Sequence, residues 1–190
     1  MKLGKLLLAV VGATALLGAL VASASARNLE GTQTVSALWA RMDFGGVFGT
    51  VECEVRLSGS FHERTIATVA GTLIGYITEG TVLRCARFGV TIRQESLPWH
   101  RRYRSFTGTL PNITGLSETV TGAEWRIELS GFACTVSATN SSTILTYAVS
   151  NGTVTRAEVS GTSSCSGSNI TLSGSTTDVE DGLGVTIRLI

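Results

Sequence analysis

From Val51 the chain alternates: Val51, Cys53, Val55 and Leu57 are apolar or thiol, and Glu52, Glu54, Arg56 and Ser58 between them are polar. A period of two over eight residues predicts a strand with one dry face and one wet face. Trp125, Ile127 and Leu129 alternate with Glu124, Arg126 and Glu128 in the same way, and Val185, Ile187 and Leu189 with Thr186 and Arg188. Turn chemistry joins such strands. Asn151-Gly152 stands between the Thr- and Val-rich segments 143–150 and 153–160, and Asp181-Gly182 between 170–177 and 184–190. Both dipeptides accept positive φ, which a two-residue hairpin turn requires. Residues 28–49 read less clearly. Val35–Ala40 fits a first strand or a helical turn, and Asp43-Phe44-Gly45-Gly46 reads as a turn.

Few stretches carry a helical period. Thr and Val favour strands, and Gly and Ser punctuate them. Short strands at this spacing imply an antiparallel sandwich or barrel. The expectation is an all-β fold, an antiparallel β-sandwich of two related halves. The halves rest on spacing: Cys53 and Cys85 are 32 apart, Cys134 and Cys165 are 31 apart, and Cys-Glu-Val at 53–55 matches Cys-Thr-Val at 134–136. Val90-Thr91-Ile92 follows Cys85 at the distance at which Ile170-Thr171-Leu172 follows Cys165.

The first residues change the picture. Lys2 and Lys5 precede an uncharged apolar run, Leu6–Ala22, and Ala24-Ser25-Ala26 has the small-x-small form of a cleavage site. That order predicts a secretory signal peptide over 1–26 and one domain over 27–190. No cysteine lies near the junction to carry a lipid. The expectation is a secreted, extracellular protein with no membrane span after cleavage. Every lysine lies in the leader, so residues 27–190 carry 13 Arg against 14 Asp and Glu, a net charge of about −1. Nucleic-acid binding wants a clear basic excess, and none is expected here.

Four cysteines in an exported chain read as two disulfides. Three pairings are open, and the repeat favours Cys53–Cys85 with Cys134–Cys165. Each bridge would close a loop of about thirty residues and contribute roughly 3–4 kcal/mol in the chain-entropy picture. A metal or redox role would want C-x-x-C, which is absent from the sequence.

The search for chemistry ends without a catalytic motif. His62-Glu63 begins like H-E-x-x-H, but Ile66 stands where the second His belongs. No G-x-S-x-G elbow marks a nucleophile. Asp178, Glu180 and Asp181 offer oxygens of the kind calcium takes, yet the turn at Asp181-Gly182 accounts for them. No catalytic residue, metal ligand or cofactor is expected.

The most distinctive stretch is Leu97-Pro98-Trp99-His100-Arg101-Arg102-Tyr103-Arg104-Ser105-Phe106. Arginines interleaved with aromatics on an exposed strand or loop could bind an anionic glycan, a lipid headgroup or a polysaccharide by stacking and bidentate contacts. The binding candidates are Trp99, Arg101, Arg102, Tyr103 and Arg104. The alternative makes Trp99 and Tyr103 core residues, with Arg stems over an apolar edge.

Leu97-Pro98-Trp99 and the segment Phe106–Thr114 resemble a group of uncharacterised secreted actinobacterial proteins with four cysteines and a Leu-Pro-Trp segment after the second. More distantly, the layout from Val51 to Cys165 resembles the alkane-oxidation activator (PraB-like) secreted proteins. The resemblance implies an extracellular accessory protein linked to hydrocarbon use or the biofilm surface. It carries over no catalytic residue. The functional expectation is a non-enzymatic cell-surface or matrix-associated protein, with cell-envelope components as partners. The alternatives are an extracellular binding module for an apolar or glycan ligand through Trp99–Phe106, a secreted hydrolase, and a self-associating fibre whose C-terminal strand pairs with another copy.

Overall fold

In a computed structural model the described residues are almost entirely strand. The described residues are 28–31, 34–87, 89–109, 112–129, 131–137, 143–165, 168–176, 178–180 and 187–189. The expected leader and the expected turn at Asp181-Gly182 lie outside them. The strands are β1 (Asn28–Gly31), β2 (Thr34–Gly46), β3 (Gly49–Phe61), β4 (Thr65–Ala67), β5 (Leu73–Cys85), β6 (Gly89–Ile92), β7 (Trp99–Thr109) and β8 (Asn112–Thr121). They continue as β9 (Glu124–Leu129), β10 (Phe132–Ser137), β11 (Thr143–Ser150), β12 (Thr153–Cys165), β13 (Ser168–Thr176), β14 (Asp178–Glu180) and β15 (Ile187–Leu189). One 3-10 turn, Gln94–Ser96, precedes β7.

The all-β antiparallel fold and both disulfides agree with the sequence. The two packed faces belong to one sheet. Its order is β13-β12-β11-β8-β7-β5-β3-β2-β14, and β13 also pairs with β2, from Thr171↔Gly45 to Gly174↔Met42. Each of these pairings is antiparallel, so eight strands close on themselves in chain order, as in an up-and-down barrel. β14 then continues where β13 stops, pairing with Ser36–Leu38 of β2.

The alternation of the sequence becomes inside and outside. On β3, Val51, Cys53, Val55 and Leu57 are buried. Within residues 28–49, Asn28–Gly31 and Thr34–Gly46 are two strands. Asp43–Gly46 belongs to β2, and the reversal comes later, at Val47-Phe48, with Gly49 at φ 93°. The Asn151-Gly152 hairpin joins β11 to β12 with φ of 51° and 77°, the two positive values a type I′ turn requires.

Two small sheets complete the wall. β1 pairs with β15 on one side and β4 on the other. The C-terminal strand therefore pairs within its own chain. Leu29 and Ile66 face each other in this sheet and are fully buried with the rest of the core. The second sheet, in the order β10-β9-β6, carries on the order β11-β8-β7 of the main sheet. Each of its strands adjoins one of those three in sequence.

This upper part of the wall is bounded by two seams. β5 pairs with β7 only from Leu73 to Ile77, and beyond that the 3-10 turn after β6 reaches it through Gln94 Nε2, which donates to the Gly80 carbonyl. β12 pairs with β11 only up to Ser160. Beyond that point it faces β10 across a line that no ladder among the described residues bridges. The Cys134–Cys165 disulfide crosses this second seam, and Ser163 Oγ donates to the Ser137 carbonyl beside it. Cys53–Cys85 links directly opposed residues of β3 and β5. The two cysteine segments thus occupy unlike places. Val90–Ile92 lies in the small β6 sheet, whereas Ile170–Leu172 closes the barrel.

Candidate functional site

The alternation of β7 divides the predicted binding stretch. Trp99, Arg101 and Tyr103 point inward and are buried; His100 and Arg104 are exposed and Arg102 half-buried. The five candidates therefore form no single surface. Trp99 Nε1 donates to Ser96 Oγ, and its ring packs 5.3 Å from that of Trp125. Arg102 Nη1 donates to the Gly71 carbonyl on the outside. His100 lies opposite Tyr76 on β5, ring centroids 5.4 Å apart. The second histidine, His62, is exposed in the turn after β3.

Arg101 is the centre of the site. Its Nε donates to Glu118 Oε2 at 2.7 Å and its Nη2 to Glu118 Oε1 at 2.6 Å, a bidentate pair with side chains 1% and 0% exposed. Nη2 also reaches Tyr147 Oη at 3.3 Å. The guanidinium lies 4.2 Å above the Phe61 ring, within cation–π range. Four strands supply the cluster: β3, β7, β8 and β11. Register explains the meeting. Arg101 stands opposite Val120 and Tyr103 opposite Glu118, so Arg101 and Glu118 are diagonal neighbours on the inner face.

Burial works against the Arg101 charge, but the Glu118 carboxylate outweighs it and the guanidinium stays firmly protonated. Burial first, with the Glu118 charge adding to it, holds the Tyr147 hydroxyl well above its ordinary value; Arg101 opposes the rise. Burial raises Tyr103 as well. Taking a carboxylate and a guanidinium out of water costs several kcal/mol per ion, which only close, fully bonded pairing repays.

Sequence reasoning missed Glu118, Tyr147, Phe61 and Trp39. A signal for Glu118 exists: it sits between Leu116 and Val120, in the apolar phase of a strand where a lone charge needs a partner inside. Trp39, 1% exposed on β2, holds the other anomaly. Its Nε1–H has no hydrogen-bond partner among the described residues.

Among the described residues, three small spaces that share lining residues lie against the core. Val35, Ala37, Trp39, Arg101 and Tyr147 border one, together with Leu57, Ile77 and Leu145. Those last three also line the second, which Met42, Trp99 and Trp125 share. Trp125, Thr143 and Leu172 are common to the second and third, and the third reaches Val136 and Gly161–Ser163 at the β10/β12 seam. Each holds room for about one water.

Several outward charges are paired. Arg41 pairs with Asp43 and Glu52, Arg84 with Glu54, Arg93 with Glu95 and Glu124, Arg126 with Glu128, and Arg156 with Glu158. Among the described residues no cluster of three or more His, Cys, Asp or Glu could hold a metal ion. No described helix is long and apolar enough to cross a membrane. Compared with protein-family models, with curated proteins and with solved structures, the chain finds no match.

Proposed function

We propose that this is an exported, non-enzymatic protein of the cell surface or extracellular matrix that works through the outside of its barrel. The observation that carries this reading is the outer face of β11, β12 and β13. Thr162 opposes Thr171 there, Ser160 opposes Ser173, and Ser164 opposes Asn169. Thr146 and Ser175 flank Glu158 on its two sides. All of these side chains are exposed; Ile144, which faces Ser160 from β11, is half-buried. Strand geometry sets such side chains about 5 Å apart across the sheet and about 7 Å apart along it. A grid of hydroxyls with few unpaired charges suits many weak hydrogen bonds to a hydroxyl-rich matrix, such as an envelope polysaccharide.

The leader motif, the two disulfides and the resemblance to secreted accessory proteins support the compartment. The internal pairing of Arg101 with Glu118 supports a non-catalytic reading, because it commits two fully buried charges to each other. The test is co-sedimentation of the oxidised 27–190 protein with cell envelopes of the producing organism. Saturable pelleting, competed by unlabelled protein, is expected. Turnover of an ester, glycoside or peptide, lost on replacing His62 or His100, would overturn the proposal.

A further inference from the structure

The Trp39 indole is a buried hydrogen-bond donor with no partner among the described residues, and such donors are rare because each costs about 1–3 kcal/mol. It borders one of three small spaces that share walls in series, and the series reaches Gly161–Ser163, beyond the point where the β12–β11 ladder ends. Between the ends the lining is aliphatic and aromatic: Leu57, Ile77 and Leu145, then Met42, Trp125 and Leu172.

We infer that this line is a binding channel for an elongated, largely apolar molecule with one hydrogen-bond acceptor oxygen at its leading end, of the lipid alcohol or ester class. The oxygen accepts from Trp39 Nε1–H, and the chain runs past Leu145 and Trp125 to the β10/β12 seam. From Trp39 to Phe44, the β2 residues that mark the two ends, five residues span roughly 15 Å at strand rise, the reach of a medium-length chain. A carboxylate fits less well, because the Arg101 charge is already matched by Glu118. The spaces are water-sized while empty, so a ligand must displace side chains. Met42, an unbranched thioether in the middle of the line, is suited to yield.

The geometry makes the protein's own tryptophans the reporter, since Trp39, Trp99 and Trp125 all line the path and the chain has three. Titrating the oxidised protein with ω-bromodecanol should quench their fluorescence saturably. Unlabelled decanol should compete, and more strongly than decane. Trp39→Phe keeps the ring and removes the donor; it should weaken decanol up to about tenfold, one hydrogen bond's worth, and leave decane unchanged. Crystals of the wild-type protein soaked in ω-bromodecanol should place the bromine beside Trp125, within reach of the seam. Absence of saturable quenching overturns the inference. So does a bromine found outside the barrel, or equal competition by decane and decanol in the wild type. None of these results depends on envelope binding, so the channel and the surface role stand or fall separately.

Discussion

Replacing Glu118 by Ala leaves the Arg101 guanidinium charged, 1% exposed, and without the carboxylate that accepts its 2.7 and 2.6 Å bonds. Two unit charges about 4 Å apart attract by about 4 kcal/mol at an effective dielectric of about 20. Breaking a buried pair from one side costs about 3–5 kcal/mol, because the survivor stays desolvated. The Phe61 ring and the Tyr147 hydroxyl remain in place but cannot replace a carboxylate. Against a typical domain stability of about 5–15 kcal/mol, the loss is large. Arg101→Met should cost a similar amount by stranding Glu118. The double change Arg101→Met with Glu118→Leu should recover most of it, since apolar residues of like volume are often neutral or better at such sites. Equilibrium urea unfolding at neutral pH on the oxidised protein measures all four forms, and the midpoint should fall by about 1–3 M in each single variant. A Glu118→Ala loss below about 1 kcal/mol would refute the reasoning. A double variant as unstable as the sum of the singles would refute it too.

Tyr147 carries a pH signature. Its folded-state value is raised, so the stability it lends is complete below about pH 10, the unfolded-chain value, and is lost as pH rises beyond it. Urea midpoints between pH 9 and pH 11.5 should fall less steeply in Tyr147→Phe, with a remaining slope from Tyr103, which shifts the same way. Replacing Cys134 and Cys165 by Ala frees the seam and should cost about 3–4 kcal/mol. Hydrogen exchange should then quicken in β10 more than in β3. Gly59→Ala sets a Cβ against the Tyr76 carbonyl and 2.9 Å from the Ile77 Cα, backbone that cannot step aside, and should abolish folding or broaden its transition by circular dichroism. Asn151→Gly should be nearly neutral in thermal melts and Asn151→Val should cost about 1–2 kcal/mol, because φ is 51° there.

The all-β class, the β11–β12 turn and the faces of β3 were legible because period-two alternation and Asn-Gly act locally. Barrel closure was not, since the pairing of Thr171–Gly174 with Met42–Gly45 joins strands well over a hundred residues apart. The same alternation applies to Trp99–Phe106. Its inward phase takes Trp99, Arg101 and Tyr103, and an inward Arg calls for an inward acid. In Leu116-Ser117-Glu118-Thr119-Val120 an acid does occupy the apolar phase, but nothing local assigns it to Arg101. Only the β7–β8 register brings the two together on a diagonal. Trp39 was invisible as a donor without partner, a property of its surroundings and not of its sequence.

The surface role turns on one comparison. Wild-type protein and a variant carrying Ser164→Glu and Ser173→Glu, both exposed on the β12–β13 face, are sedimented with the same cell envelopes. The account expects the wild type to pellet saturably and the variant to stay in the supernatant at an unchanged melting temperature. A wild type that stays in solution, or a variant that pellets equally, would contradict it.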